Sequence, residues 1–193
     1  MKQNYINHIV FVLDASSSMS GLKDDVVRVF DAQIQYLAQR SKETDQETRV
    51  SVYQFAESTE CLVFDKDCLR LPSIKELYKP YGWTALIDAT MKSIEDLEKT
   101  NTLYGDHSFL LFVLSDGQDN RSFNRPFGLA SKLEKLPDNW TVAVLAPDAI
   151  SVSENKKCGF APQNIQIWDT SKKGIEEVGD TLRKVTDNYM AAR

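Results

Sequence analysis

The sequence predicts an α/β protein built around a mostly parallel sheet. Apolar runs of strand length alternate with segments of helical periodicity, which is typical of strand–helix–strand units in such sheets. The length of 193 residues fits one domain over residues 1–193. The hydrophobic fraction of 42% and the charged fraction of 26% are ordinary for a globular protein. This composition excludes a disordered, collagen-like or coiled-coil chain.

The first half of the chain opens with a short, continuous apolar run at residues 9–13, as expected for a strand buried on both faces. Apolar side chains then recur at helical spacing, followed by an alternating strand whose hairpin partner we expect at a sheet edge. These patterns predict a helix at 22–40, strands at 50–55 and 59–64, irregular chain at 65–83 and a helix at 85–99.

The second half contains the strongest predicted strand, residues 109–114, which stops abruptly at Ser115, Asp116 and Gly117. Helical and apolar segments continue to alternate after it. They predict a helix at 126–135, a strand at 141–145, a helix at 149–157, a strand at 165–168 and a closing helix at 172–190.

Charge and composition exclude several kinds of partner. The net charge of −5 disfavours nucleic acid, which requires a basic face. No apolar run approaches the roughly 20 residues that cross a bilayer, so no membrane partner is expected. No apolar stretch of signal-peptide length precedes the first strand, and the three cysteines form no Cys-x-x-Cys pair. We therefore expect a cytoplasmic protein with reduced, buried or half-buried thiols.

Polar side chains follow the two strands that should lie at the centre of the sheet. Asp14, Ser16 and Ser18 come after the first strand, and Asp116 comes after residues 109–114. Ligands of open parallel sheets bind beyond the carboxyl ends of the strands, so the two aspartates are expected to face each other there. Oxygen donors alone select a hard cation such as Mg²⁺. His8 and His107, the two histidines, precede core strands and are expected to be edge residues without a function.

Three motifs in this order resemble the von Willebrand factor A domain. They are Asp14-x-Ser16-x-Ser18, then Gly82-Trp83-Thr84-Ala85-Leu86, then Ser115-Asp116-Gly117. The resemblance spans residues 7 to about 189 and is to the small, stand-alone bacterial or phage type. It implies a Rossmann-like three-layer fold with strand order 3-2-1-4-5-6 and one antiparallel edge strand.

The resemblance also implies a metal-ion-dependent adhesion site (MIDAS). In that family, the positions matching Ser16, Ser18 and Thr84 supply hydroxyl ligands, and those matching Asp14 and Asp116 hold the ion directly or through water. The implied ion is Mg²⁺, with Mn²⁺ or Ca²⁺ as alternatives. One coordination position is left for an aspartate or glutamate of a protein partner. The expected function is cation-dependent protein binding rather than catalysis.

Three further residues are candidates for partner contacts. Trp83 stands where many family members have glycine, and it is expected either at the rim of the site or packed beside the sheet. Asp119 and Arg121 follow Asp116 and would tune specificity, unless they belong to a solvated loop. Asp88 is expected to favour the N-terminus of its helix electrostatically.

Two other functions remain open from the sequence. The same crevice would also suit a metal-dependent hydrolase or phosphatase, although Ser16 stands where a haloacid dehalogenase-type enzyme has its second aspartate. The other alternative is a structural subunit whose metal site is vestigial. The closing helix either covers one face of the sheet or moves as a switch, as it does in family members that change affinity.

Overall fold

The computed structural model describes residues 4–193, and its centre is a six-stranded sheet with the order β3-β2-β1-β4-β5-β6. β1 pairs in parallel with both β2 and β4, and the parallel pairing continues through β5 to β6. Only β3 is antiparallel, at the edge beside β2. The predicted strand order and edge strand are therefore confirmed. The strands are β1 (Tyr5–Asp14), β2 (Glu47–Phe55), β3 (Thr59–Asp67), β4 (Asp106–Leu114), β5 (Trp140–Ala146) and β6 (Ile165–Ile167).

Helices cover both faces of this sheet and complete a three-layer fold. The long helices α1 and α5 pack against each other on one face, and α2, α3 and α4 lie on the other. As predicted, the closing helix covers one face of the sheet. The helices are α1 (Lys23–Thr44), α2 (Leu86–Leu97), α3 (Pro126–Glu134), α4 (Ala149–Lys157) and α5 (Lys172–Ala191).

The two hydrophobic cores explain why the central strands are continuously apolar. Successive side chains of a strand point to opposite faces. Phe11 and Leu13 of β1 therefore join the core under α1 and α5, whereas Val10 and Val12 join the core under α2. All four are buried because helices cover both faces. This arrangement fixes the position and direction of the carboxyl end of β1.

Helix α1 is longer than the predicted 22–40. It ends at Thr44, and the next residue, Asp45, adopts a left-handed conformation with φ of 53° and donates its N–H to the Ser41 carbonyl. Residues 41–44 continue the helix with polar side chains, so apolar periodicity did not reveal them. A short 3-10 helix, Ser17–Leu22, connects β1 to α1.

The prediction that both histidines are edge residues is wrong. β1 and β4 begin earlier than expected, so His8 and His107 lie inside strands and are 2% and 9% exposed. His8 Nε2 lies 2.9 Å from His107 Nδ1, and His8 Nδ1 lies 3.3 Å from an Asp65 carboxylate oxygen. These mutual contacts allow imidazoles inside the sheet, and they join residues far apart in the chain.

Two of the thiols are buried as expected, but the third is not. Cys68 and Cys158 are buried, whereas Cys61 is exposed on β3. One side of an edge strand has no neighbouring strand. Apolar alternation alone therefore does not predict which side chains of β3 are buried. Within residues 4–193, no helix has both the length and the apolar character needed to cross a membrane.

Candidate metal centre

The predicted site residues lie at the carboxyl edge of the sheet, on three segments of the chain. Asp14 is the last residue of β1, and Asp116 lies two residues after the end of β4. Thr84 belongs to the loop that enters α2. Because β1 and β4 are parallel neighbours, their carboxyl ends meet at this edge.

Asp14 is fully buried and rigidly held. Its Oδ1 accepts a hydrogen bond from the Ser16 backbone N–H at 2.8 Å, and its Oδ2 accepts one from the Ser115 hydroxyl at 2.6 Å. Burial raises the pKa of Asp14 to about 6, although these hydrogen bonds oppose the shift, and the nearby Asp116 carboxylate adds to it. A cation at this position would favour the ionised form.

Hydroxyl groups connect the two loops beyond β1 and β4. The Ser16 and Ser18 hydroxyl oxygens lie 3.0 Å apart, and the Ser18 hydroxyl donates to Asp116 Oδ1 at 2.9 Å. Ser16 is buried and Asp116 is half-buried. The structure therefore brings Ser16, Ser18 and Asp116 into one chain of direct contacts, with Asp14 joined to it through the Ser16 backbone.

Thr84 is placed beside this chain through its backbone. Its N–H donates to Asn120 Oδ1 at 2.9 Å, and the Asn120 N–H donates to the Thr84 carbonyl at 3.0 Å. The Ser17 N–H also donates to the Gly82 carbonyl at 3.1 Å, which ties the first loop to the third segment. The buried Thr84 side chain forms no hydrogen bond with another residue of the described chain, so its hydroxyl stays available as a ligand.

The donor set fits a hard divalent cation. All five predicted ligands offer oxygen, three from hydroxyls and two from carboxylates. In the part of the chain that the structure describes, no three or more His, Cys, Asp or Glu side chains are grouped to hold a metal. A cation at this edge would therefore depend on the hydroxyl groups as well as on Asp14 and Asp116.

Several residues that support the site were missed by the sequence analysis. The buried Tyr78 donates its hydroxyl to the Asp14 carbonyl at 2.5 Å, and Trp168 donates its indole N–H to the Ser115 carbonyl at 2.8 Å. Ser115 and Asn120 hold Asp14 and Thr84, respectively. Ser115 belongs to a recognised motif. Tyr78 and Trp168 contact residues that are distant in the sequence, so no local sequence pattern indicates their role.

The candidate partner contacts differ in how free their side chains are. Trp83 is 59% exposed, so it does not pack down beside the sheet. Arg121 is also exposed and makes no ion pair with another described residue. Asp119, by contrast, accepts the backbone N–H of Ile87 at 2.8 Å and of Ser122 at 3.1 Å. Its carboxylate therefore satisfies the first turn of α2.

Asp88 lies in the first turn of α2, where its charge opposes the positive end of the helix dipole. Its two carboxylate oxygens accept the N–H groups of Phe123 and Asn124 at 2.8 and 2.9 Å. Asp88 therefore fastens the loop after β4 to the helix that follows Thr84.

Comparisons with known proteins identify the fold. No family model and no curated protein sequence matches the chain. Among solved structures, proximal thread matrix protein 1 from the mussel byssus, with a zinc-occupied MIDAS motif, is 18% identical with a TM-score of 0.64, and the match covers 95% of this chain and 46% of that one. This chain therefore spans about half the length of the mussel protein.

Two bacterial structures are similar in the same way. A von Willebrand factor type A protein from Catenulispora acidiphila is 16% identical with a TM-score of 0.66, over 96% of this chain and 43% of that one. The vWF domain of the type V pili tip protein Mfa5 from Porphyromonas gingivalis is 13% identical with a TM-score of 0.61, over 94% of this chain and 96% of that one. At these identities, the likeness establishes a shared fold.

Proposed function

We propose that this chain, which has the von Willebrand factor A fold, is a protein-binding module that depends on a divalent cation. The observation that carries the proposal is the continuous contact from Ser16 through Ser18 to Asp116, with Asp14 and Thr84 held beside it. The zinc-occupied MIDAS motif of the structurally similar mussel protein supports a divalent metal in a protein of this fold.

The proposed ligands are mostly neutral. Ser16, Ser18 and Thr84 would contribute hydroxyl oxygens, and Asp14 and Asp116 would contribute carboxylates directly or through water. The proposed ion is Mg²⁺, with Mn²⁺ or Ca²⁺ as alternatives, and it would supply positive charge that the neutral hydroxyls do not cancel. An aspartate or glutamate of the partner would form a charge-assisted contact there.

The surrounding residues keep the ligands in place before a partner arrives. Ser115 and the Ser16 backbone fix both oxygens of Asp14, while Asn120 holds the backbone of Thr84 from both sides. Tyr78 holds the carbonyl of Asp14 itself. A site supported in this way loses little conformational entropy when it binds.

Exposed side chains near the site would contact the partner around the captured carboxylate. Trp83 stands one residue before Thr84 and exposes 59% of its surface, and exposed tryptophans are favoured contacts in protein interfaces. Arg121 would meet further acidic or carbonyl groups. Asp119 would affect the partner through the position of α2, because its carboxylate is already committed to that helix.

The proposal is tested by affinity capture from a lysate of the source cells in millimolar Mg²⁺ or in excess chelator. We expect a defined protein to be retained with Mg²⁺ and released by chelator. Ser16→Ala is expected to lose this protein, whereas Ser153→Ala, a control at an exposed serine of α4, is expected to keep it. Capture that chelator does not change would contradict the proposal.

The same protein can be used to test the two alternative functions. Magnesium-dependent turnover of p-nitrophenyl phosphate that Asp14→Asn abolishes would favour a hydrolase. The similar structures named above are a byssus matrix protein, a pili tip protein and a von Willebrand factor type A protein, which gives weak support to a protein without catalysis. No binding of Mg²⁺ at millimolar concentration would favour a structural subunit with a vestigial site.

A further inference from the structure

A cavity of about 210 Å³ opens next to the proposed metal centre. It lies between the first turn of α2, the loop after β4, the start of α3 and the inner side of α4. Gly117 in its wall directly follows Asp116, and Leu86 lies two residues after Thr84. We call it the side pocket and define it by Leu86, Gly117, Asp119, Arg125, Ser151 and Asn155.

The side pocket contains a polar side chain that forms no hydrogen bond within the described part of the fold. Asn155 is only 6% exposed, yet its side-chain amide forms no hydrogen bond with another described residue. Buried polar groups are normally satisfied, so groups of this kind facing a cavity indicate a ligand that supplies the missing partners.

The pocket wall carries charges of both signs, which clearly favours neither an acidic nor a basic ligand. Asp119 and Glu154 both line the cavity. The Asp119 carboxylate accepts from the α2 backbone, and Glu154 pairs with Lys157 at 2.7 Å, so neither needs a cation from a ligand. Both carboxylates would repel an acidic group, whereas Arg125, which forms no ion pair with another described residue, would repel a basic one.

A neutral group with both donors and acceptors satisfies all these constraints. A carboxamide can pair with the Asn155 amide in both directions, and its oxygen can also accept from the Arg125 guanidinium. Cavities that enclose whole small molecules measure about 300–1,000 Å³. The side pocket, at about 210 Å³, is therefore better suited to a single side chain.

We propose that the side pocket binds an asparagine or glutamine side chain of the protein partner, next to the carboxylate that the metal captures. The preference for a carboxamide rests on the pocket alone, whereas its assignment to the same partner rests on the proposed function. Gly117 and Leu86 place the pocket within two residues of the ligands Asp116 and Thr84, so one short partner segment can reach both.

The test is a titration of the ¹⁵N-labelled protein, without metal, followed by ¹H–¹⁵N NMR. The probes are the N-acetyl amides of glutamine, glutamate, lysine and leucine. We expect N-acetylglutamine amide to shift the Asn155 side-chain and Gly117 backbone signals saturably. It should bind at least about fivefold more tightly than the other three, as expected for one net hydrogen bond. Equal shifts with all four probes, or no saturable shift with the glutamine probe, would overturn the proposal.

Two variants and a control check where the probe binds. Asn155→Leu keeps the same branched shape and breaks no side-chain hydrogen bond, so it is expected to fold and to lose the glutamine preference. Arg125→Ala, at an exposed position, removes the guanidinium donor and is also expected to lose the glutamine preference. Asn188→Ala, at an exposed asparagine of α5 on the opposite face, should bind as the wild type does. Unchanged binding in both pocket variants contradicts the assignment.

A parallel titration with Mg²⁺ keeps the two proposals separate. Saturable Mg²⁺ shifts at Ser16 and Thr84 without any glutamine preference would refute the side-pocket proposal alone. Glutamine binding without any Mg²⁺ response would refute the proposed function and leave the pocket as a carboxamide site of another interaction.

Discussion

The Ser18 hydroxyl donates a hydrogen bond to Asp116 Oδ1 at 2.9 Å, although 98 residues separate these two positions in the chain. The contact exists because β1 and β4 are parallel neighbours whose carboxyl ends meet at one edge. It bridges the two loops that would hold the cation. The candidate site is therefore a consequence of strand order, and substitutions around it can separate ligand roles from structural ones.

Ser115 is a positioning residue, since its hydroxyl holds Asp14 Oδ2 at 2.6 Å. Ser115→Ala is expected to weaken Mg²⁺ binding about 10–100-fold, as the loss of a group that orients a metal ligand does. Ser115→Thr, which keeps the hydroxyl, should recover part of this affinity. Calorimetric titration with Mg²⁺ measures both.

The matched control for this prediction is Ser108→Ala. Ser108 is a buried serine near the opposite end of the same strand, and its hydroxyl bonds to Tyr189. This variant should unfold at lower denaturant concentration but bind Mg²⁺ with unchanged affinity. Equal losses of affinity in the two variants would mean that Ser115 acts only through stability.

Trp83 is expected to matter for the partner and not for the metal. Trp83→Ala removes a side chain that is 59% exposed, so stability should change by no more than about 0.5 kcal/mol. Partner retention in the affinity capture should fall at least about fivefold, because truncating an interface hot spot costs more than about 1 kcal/mol. Phe127→Ala, at an aromatic of α3 that is 82% exposed, is the control. If Phe127→Ala reduces capture as much, the effect is not specific to the site.

Gly82 is required by the backbone of the loop that carries Thr84. Its φ is +73°, and an added Cβ would lie 3.0 Å from Glu57 Cγ. Gly82→Ala is expected to destabilise the protein by about 1–2 kcal/mol, the cost of a left-handed conformation for a residue with a Cβ. Urea denaturation measures this change.

Gly128→Ala is the opposite control. Gly128 lies inside α3, and an added Cβ would meet nothing within 4 Å. Alanine favours helix more than glycine by about 1 kcal/mol, so this variant should be more stable than the wild type. Destabilisation of similar size in both variants would show that the conformation of Gly82 is not the cause.

Because of Asp65, the free energy of unfolding is expected to depend on pH in the acidic range. Burial alone would raise the pKa of Asp65, but hydrogen bonds from His8 and Arg49 outweigh it and hold the pKa below its ordinary value. A lowered pKa stabilises the folded state above the ordinary carboxyl pKa, and this stabilisation is lost as the pH falls through the lowered value. Asp65→Asn, which tolerates the positive φ of 50° at this position, should therefore be less stable than the wild type at pH 7.

The measurement is urea denaturation of both proteins between about pH 7 and pH 2. The difference in the free energy of unfolding between wild type and Asp65→Asn should shrink as the pH falls below about 5. A difference that stays constant over this range would show that the charge of Asp65 does not stabilise the fold.

Much of the fold follows from local patterns in the sequence. The run at residues 109–114 identifies a strand buried on both faces, and the three motifs place all five candidate ligands at its edge and that of β1. Helical periodicity finds α2 and α5, which bury clear apolar stripes. It underestimates α1, because the last turn of that helix is polar.

Long-range polar contacts could not be predicted in this way. Tyr78 reaches Asp14 across 64 residues, and Trp168 reaches Ser115 across 53. The pairing of His8 with His107 depends on the register between β1 and β4. Such contacts have no sequence periodicity, since their partners are set by strand order. The unused amide of Asn155 is equally invisible without the cavity around it.

Calorimetric titration of Mg²⁺ into the wild type and Thr84→Ala is the most direct test of the proposed metal centre. Thr84 forms no side-chain hydrogen bond with another described residue, so removing its hydroxyl should leave the fold intact. We predict one ion bound per wild-type chain and at least about tenfold weaker binding in the folded variant. Equal affinity in the two proteins, or no binding to the wild type at millimolar Mg²⁺, would contradict it.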